Sequence, residues 1–150
     1  MNQPTFTIRR ADGNDLGRIT SLLATCELPT VDVTLTLLPA FLVAVDRDGA
    51  ISGSIGLQAL ENDALLRSLA VAPHARGAGT GNALLAAIEA QATANAHANL
   101  WLLTTNAENF FVRHGYRAVN RNIVPDEVRA TGQFTRLCPS TAVCMVKRLS

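Results

Sequence analysis

The stretch that decides the fold reads Val71-Ala72-Pro73-His74-Ala75-Arg76-Gly77-Ala78-Gly79-Thr80-Gly81. The apolar residues 65–71 before it predict a strand, which Pro73 ends, and residues 82–94 after it have the apolar spacing of a helix. The three alternating glycines let the main chain turn tightly and approach a ligand without a Cβ in the way. The pattern therefore predicts a strand, a glycine loop and a helix whose first N–H groups form an anion site.

Two well-known phosphate loops do not fit this glycine-rich stretch. A Walker loop needs Lys followed by Ser or Thr after its last glycine, and Asn82-Ala83 stand there instead. A dinucleotide fingerprint needs a glycine at residue 82 and repeated βαβ units, which the order of elements lacks. A third kind of loop, and a glycine turn with no ligand, stay open.

The third kind is the coenzyme A pyrophosphate loop of the GCN5-related N-acetyltransferases (GNAT), which the chain resembles over nearly its whole length. Their loop reads Gln or Arg, two residues, Gly, one residue, then Gly or Ala, and Arg76, Gly79 and Gly81 match it. Residues 69–73 resemble the family's strand before the loop, and residues 83–85 its following helix. Residues 107–116 resemble its second helix with a Gly-aromatic ending.

The remaining sequence predicts one mixed α/β (α+β) domain over residues 1–150. Strand-like stretches cover 5–9, 41–45, 51–57, 65–71, 100–104 and 141–149. A first helix starts near residue 13, and three further helices cover 82–94, 107–114 and 124–131. Residues 30–39 fit either a short helix or a loop. The resemblance implies the GNAT fold, a mixed, mainly antiparallel twisted sheet, splayed between strands 4 and 5 and flanked by helices.

Composition narrows the class of protein further. The 150 residues are 48% hydrophobic and 17% charged with a net charge of +1, which favours a packed core and argues against a nucleic-acid partner. No apolar run approaches the roughly 20 residues of a membrane span, and the first residues do not resemble a secretory signal. Three cysteines in such a chain predict reduced thiols and a cytoplasmic location.

The resemblance implies acetyl-CoA as co-substrate, direct transfer without a covalent enzyme intermediate, and no metal. The diphosphate would bind at Arg76, Gly77, Ala78, Gly79, Thr80 and Gly81, with Phe110 and Phe111 also near the cofactor. The pantetheine arm would pair with Leu69, Ala70 and Val71. A main-chain N–H of Ala70 or Val71 would stabilise the negative oxygen of the reacting thioester.

The acid and base are less well marked. Glu61 and Asp63, near the start of the strand that leads to the thioester, are candidate bases, although ordinary turn carboxylates fit equally well. Many relatives carry a tyrosine in the second helix that protonates the leaving thiolate, and the matching residue here is Phe111. Water or Tyr116 could substitute for it.

The acceptor is expected to be a small-molecule amine. Arg67 shares side-chain parity with Leu69 and Val71, so its guanidinium could hold a substrate carboxylate, with Ser68 beside it; an ion pair with Asp63 or Glu61 is the alternative. Thr104 and Thr105 could contact substrate, or cap the next helix.

Further segments resemble N-acetyltransferases associated with arsenic resistance, which are similar to bacterial N-acetylglutamate synthases. These segments are Leu28-Pro29-Thr30, Leu102-Leu103-Thr104-Thr105 with Phe110-Phe111, and Leu137-Cys138-Pro139 with Cys144-Met145. They imply glutamate, or an arsenical or phosphinic analogue, as acceptor. Cys138 and Cys144 could bind As(III), although small buried side chains are the commoner role. A protein N-terminal acetyltransferase, a non-catalytic acyl-CoA sensor and a homodimer remain compatible with the sequence.

Overall fold

The computed structural model describes residues 6–132, 134 and 141–149. Short 3-10 turns at Gly13–Asp15, Leu38–Ala40, Pro73–Ala75 and Arg121–Ile123 join the main elements. The main elements in chain order are β1 (Phe6–Arg10), α1 (Leu16–Thr25), β2 (Phe41–Asp46), β3 (Ile51–Ala59), β4 (Ala64–Val71), α2 (Thr80–Ala94), β5 (Asn99–Thr104), α3 (Glu108–Arg113), β6 (Arg117–Val119), α4 (Asp126–Arg129) and β7 (Val143–Arg148).

The strands form one seven-stranded sheet in the order β1-β2-β3-β4-β5-β7-β6. Its pairs are antiparallel at β1–β2, β2–β3, β5–β7 and β6–β7, whereas β4 and β5 run parallel. The parallel ladder joins Ala64 to Leu100 and Leu65 to Trp101, although β4 runs on to Val71 and β5 to Thr104. This mixed, mostly antiparallel sheet with helices confirms the predicted fold class.

The contacts divide the chain into two compact units. The first comprises the residues up to Leu57 together with Ser68–Ala90, and the second comprises Gln58–Arg67 together with the residues from Gln91 onward. A unit boundary therefore falls inside β4, between Arg67 and Ser68. The prediction of a single domain stays a prediction.

The core of the first unit forms around the apolar stripe of α1. Ile19, Leu22 and Leu23 are buried, as their helical spacing predicts. Asp12 and Asp15 start this segment with a reciprocal capping box, which satisfies main-chain N–H groups at the helix start. The stripe packs with a set of apolar residues that includes Leu38, Phe41, Val43, Ala70 and Ala72.

The core of the second unit gathers around a buried tryptophan. Trp101 packs with Leu65, Val124, Val128, Cys144 and Val146. The helix predicted over residues 124–131 is wrong in length, since α4 covers only Asp126–Arg129. The reason is Pro125, which disfavours helical geometry in the residue before it, and Val124 is accordingly extended.

Candidate active site

The glycine loop leads directly into α2. Gly77 and Gly79 have φ angles of +87° and +81°, a region that other residues enter at a cost. The loop is exposed from Arg76 to Gly79. Within the described residues, none of the main-chain N–H groups from Gly77 to Gly81 donates to a main-chain oxygen. The loop thus presents a row of donors at the positive end of a 15-residue helix, an arrangement that suits a diphosphate.

The start of α2 lies close against β3. The helix begins at Thr80, two residues earlier than predicted, and the carbonyl of Gly79 accepts the first helical bond from Ala83 at 3.0 Å. A Cβ on Gly53 of β3 would lie 2.9 Å from Leu84 Cδ1 and 3.0 Å from Thr80 Cγ2. Glycine at residue 53 therefore permits the approach that places the loop.

The side chain of Arg76 bonds to the end of β4. Its Nε donates to the carbonyl oxygen of Val71 at 3.1 Å, and its Nη2 lies 3.7 Å from Cys26 Sγ. The thiol of Cys26 in turn donates to the same Val71 carbonyl at 3.7 Å. Arg76 was predicted as a cofactor contact, and the structure shows in addition that it fixes the entry to the loop. Cys26, directly after α1, thus supports the same carbonyl.

The main-chain direction at the end of β4 favours one oxyanion donor over the other. Ala72 donates its N–H to the carbonyl of Ser52 in β3 at 2.8 Å. Because main-chain groups alternate in a strand, Ala70 also faces β3, whereas Leu69 and Val71 direct their N–H and carbonyl groups to the opposite edge. This counts against Ala70 as the oxyanion donor and leaves Val71 as the candidate.

Ser68 interrupts β4 with an unusual main-chain angle. Its φ is +59°, which is uncommon for a residue other than glycine and typical of functional or strained positions. The buried hydroxyl of Ser54 donates to the Ser68 carbonyl at 2.9 Å and stabilises this turn. This left-handed residue lies between Arg67 and Leu69, so the alternation that grouped Arg67 with Leu69 and Val71 stays a prediction.

Arg67 is nevertheless buried, with 3% of its surface exposed. It has at least one polar, ionic or ring partner in the structure. Arg67 shares its side of the strand with Leu65, two residues earlier, which belongs to the Trp101 cluster. A buried guanidinium at this place is a candidate for binding a carboxylate.

The two candidate bases lie in different surroundings. Glu61 is exposed in the turn before β4, and its main-chain N–H lies 3.3 Å from Oε2 of Glu127. Asp63 is buried, and its Oδ1 and Oδ2 accept bonds from Asn99 Nδ2 at 3.2 Å and from Trp101 Nε1 at 2.8 Å. Both oxygens of Asp63 thus have structural partners, which counts against its service as a general base.

Phe111 lies in an aromatic cluster of the second unit. Its ring contacts those of Phe110 and Tyr116 edge-to-face, with centroid distances of 5.2 and 5.4 Å. Phe111 and Tyr116 are buried, and the Tyr116 ring also has Lys147 Nζ at 5.6 Å from its centroid. These contacts involve the ring of Tyr116, and the role considered for its hydroxyl stays a prediction.

The polar residues after β5 have ordinary structural surroundings. Thr104 Oγ1 accepts the N–H of Ala107 at 3.0 Å, which is the capping alternative considered for it. Thr105 is exposed. Neither observation excludes contact with a substrate, and both residues stay predictions.

The cysteine pair considered for As(III) is only half described. Cys144 is buried in the Trp101 cluster, and this burial raises the pKa of its thiol. Cys138 lies outside the described residues. Within the described ranges, no group of three His, Cys, Asp or Glu side chains could hold a metal ion, and no helix is long and apolar enough to span a membrane.

Two curated amino-acid acetyltransferases are similar to this chain in sequence. An amino-acid acetyltransferase of Ralstonia nicotianae is 29% identical over 136 residues, which cover 86% of this chain and 30% of that protein. A similar enzyme from Shewanella oneidensis is 27% identical over 136 residues, again 86% of this chain and 31% of that protein. The chain thus spans about a third of the length of these curated relatives.

Solved structures show the same fold. The N-acetylglutamate synthase of Neisseria gonorrhoeae, complexed with coenzyme A and N-acetyl-glutamate, superposes with a TM-score of 0.86 at 23% identity, over 99% of this chain and 36% of that one. The Mycobacterium tuberculosis protein Rv2747, in complex with CoA, has a TM-score of 0.80 at 24% identity, over 96% and 99% of the two chains.

The family assignment follows from a match over more than half of the sequence. The family model for the acetyltransferase (GNAT) domain matches residues 39–118. This range includes the glycine loop, the exposed N–H groups that precede α2 and the irregular strand β4. The chain therefore belongs to the GNAT acetyltransferase family.

Proposed function

We propose that this chain is an acetyl-CoA-dependent N-acetyltransferase that acts on the amino group of a small molecule bearing a carboxylate. The observation that carries the proposal is the exposed glycine loop, whose N–H groups from Gly77 to Gly81 donate to no main-chain oxygen in the described residues. Membership of the family and the CoA-bound structures of similar fold support it.

The loop and the end of β4 would hold acetyl-CoA as substrate. The diphosphate would accept bonds from the N–H groups of residues 77–81. The pantetheine arm would extend along the edge of β4 on which Leu69 and Val71 place their main-chain groups. The N–H of Val71 would then stabilise the oxygen that becomes negative as the amine attacks the thioester.

The acceptor would bind beside this strand through its carboxylate. Arg67 is the candidate partner, because it is a buried arginine of β4. The amine must lose a proton before it attacks, and water or the exposed Glu61 would accept that proton.

Transfer would be direct, without an acyl-enzyme. A thiolate is a better leaving group than an alkoxide, so the reaction would tolerate the absence of a tyrosine at Phe111. Direct transfer needs no cysteine nucleophile, and the buried Cys144, whose thiol pKa is raised by burial, would be a poor one.

The finer acceptor class is an amino acid of the glutamate type. The amino-acid acetyltransferases among the relatives support this choice. Arsenical and phosphinic analogues of glutamate share its two acidic groups and are part of the same proposal. In each case the guanidinium of Arg67 supplies the complementary charge.

An acceptor panel tests the proposed function. Thiol release from acetyl-CoA is measured with L-glutamate, other amino acids, arsenical and phosphinic glutamate analogues, decarboxylated amines and a peptide with a free N-terminus. We expect turnover with carboxylate-bearing amines and much less with the matched amines that lack a carboxylate. Turnover of the peptide alone would support a protein N-terminal acetyltransferase instead.

A second candidate function is a non-catalytic acyl-CoA sensor. The observation in its favour is Phe111, which is buried among aromatic rings where many relatives have a tyrosine. Tight binding of acetyl-CoA with no thiol release on any amine of the panel would support the sensor.

A further inference from the structure

The carboxylate of Asp63 is a buried polar group outside the acetyl-CoA loop. It lies in the turn before β4, where Leu60 donates its N–H to the Asp63 carbonyl at 2.9 Å. The side chain accepts bonds from Asn99 and Trp101, two residues of β5 that point the same way along that strand. Both oxygens of this buried carboxylate have a hydrogen-bond donor. Loss of either bond would leave a buried oxygen without a donor and would destabilise the fold.

These bonds fix the register of β4 and β5. Ala98 donates its N–H to the Asn62 carbonyl at 2.8 Å, directly before the two side-chain bonds. The parallel ladder then pairs Ala64 with Leu100 and Leu65 with Trp101. The Asp63 contacts therefore form one end of the only parallel pairing found in the described strands.

Arg67 follows Leu65, which pairs with Trp101 in the parallel ladder, by two residues. Leu65 packs in the Trp101 cluster, and Arg67 shares its side of the strand. The Cα atoms of Asp63 and Arg67 are four residues apart, or about 13 Å along an extended strand. That distance is short enough for a rigid strand to transmit position from Asp63 to Arg67.

We propose that Asp63 is a positioning residue, which fixes the start of β4 against Asn99 and Trp101 of β5 and so places Arg67 for the acceptor carboxylate. The inference rests on the proposed function, because it assigns Arg67 to the acceptor. It replaces the role of general base considered for Asp63. Trp101, the only tryptophan of the chain, then holds the Asp63 side chain in place through its indole N–H.

The kinetic test uses Asp63→Asn. Asparagine keeps the shape of the side chain but has one acceptor oxygen in place of two. Its NH2 group would therefore face one of the two donors, Asn99 Nδ2 or Trp101 Nε1, and that hydrogen bond would be lost. With L-glutamate as the probe acceptor, or the carboxylate-bearing amine that the panel turns over fastest, we expect the KM for the acceptor to rise about tenfold. The KM for acetyl-CoA and the acidic limb of the pH profile should stay unchanged. The control is Asp126→Asn, which neutralises a carboxylate whose side chain is 99% exposed.

A second variant keeps the proposal testable if Asp63→Asn does not fold. Trp101→Phe removes the indole N–H and keeps an aromatic ring in the cluster, and it should raise the acceptor KM in the same direction. In the double variant the two effects should not add, because both remove the same contact. Independent, additive effects on KM would overturn the proposal.

The contact itself can be observed without activity. A ¹⁵N-tryptophan label gives one indole N–H signal, and Asp63→Asn should move its proton resonance upfield, since a bond to a charged oxygen becomes weaker. An unchanged indole signal would overturn the contact. An unchanged acceptor KM would overturn the positioning role. The same role would be overturned if the acidic limb of the pH profile were lost and kcat fell by about 10²–10⁴-fold, as expected for a general base. Absence of turnover by the unaltered protein on every amine would overturn the proposed function and this inference together.

Discussion

Arg76 donates a 3.1 Å hydrogen bond from its Nε to the carbonyl oxygen of Val71, the last residue of β4. This bond spans the turn that separates the strand from the glycine loop, so one side chain of the loop motif fixes where the loop begins. It occupies an oxygen on the edge of β4 along which we place the pantetheine arm. The side chain of Arg76 thus has a structural role in addition to any contact with the diphosphate.

Replacement of Arg76 should weaken coenzyme A binding. Arg76→Ala removes the bond to Val71, and we expect the Kd for coenzyme A in calorimetric titration to rise by about tenfold, since a hydrogen bond from a charged donor is worth about 1.5–3 kcal/mol. Arg47→Ala, at an exposed arginine of the same unit, is the control and should not change the Kd. Equal affinities of the Arg76 variant and the unaltered protein would refute this role.

The two glycines with φ near +80° allow a matched comparison. Gly79 in the loop and Gly49 in the β2–β3 turn have φ of +81° and +85°, and neither has an atom within 4 Å of the place where a Cβ would stand. Alanine at either residue should cost a similar free energy of unfolding, about 1 kcal/mol, because the strain is the same. Only Gly79→Ala should also weaken coenzyme A binding. A similar loss of affinity in Gly49→Ala would show that strain alone is responsible.

The buried hydroxyl of Ser54 should support the irregular residue Ser68. Ser54→Ala removes the 2.9 Å bond to the Ser68 carbonyl, and we expect a loss of about 1 kcal/mol in unfolding free energy together with a lower kcat/KM. The control is Ser52→Ala in the same strand, since Ser52 is also buried and its hydroxyl donates to the Ala44 carbonyl at 3.4 Å. Similar losses of activity in both variants, measured at equal stability, would count against a role for Ser68 in the site.

Acid should destabilise the protein through Asp15. Arg9 bonds to both carboxylate oxygens at 2.7 and 2.9 Å and lowers the pKa of Asp15 from 3.8 to about 2. Because the pKa is lower in the folded state, the stabilisation is complete above pH 4 and is lost as the pH falls toward 2. It amounts to about 2 kcal/mol.

Denaturant unfolding as a function of pH measures this contribution. Asp15→Asn should be less stable than the unaltered protein at pH 7, and the difference should shrink toward pH 2. Asp48→Asn, which neutralises an exposed turn carboxylate, is the control for the change in net charge. A stability difference for Asp15→Asn that is constant between pH 7 and pH 2 would contradict the assignment.

The elements around the loop could be predicted from the sequence because their signals are local. Alternating glycines after a Pro-terminated strand mark the loop, and the spacing of Leu84, Leu85 and Ile88 marks the buried face of α2. The start of α2 was misplaced by two residues, because Thr80 and Gly81 do not favour a helix by themselves and become helical as α2 packs on Gly53.

The features that the sequence did not show depend on distant partners or on main-chain angles. Serine has no marked preference for positive φ, so nothing in the residue type indicates the turn at Ser68. Asp63 and Trp101 are 38 residues apart in the sequence. A buried indole N–H usually has an acceptor, but the sequence does not indicate which residue that acceptor is. The bonds of Arg76 and Cys26 to Val71 likewise join separate elements.

The most direct test is a ¹H–¹⁵N spectrum of the protein titrated with coenzyme A and, separately, with pantetheine, which lacks the diphosphate. The account predicts that coenzyme A moves the amide signals of residues 77–81 strongly, in proportion to its binding, and that pantetheine leaves them nearly unchanged. If coenzyme A binds while the signals of these five amides do not shift, the glycine loop is not the diphosphate site and the proposed function is contradicted.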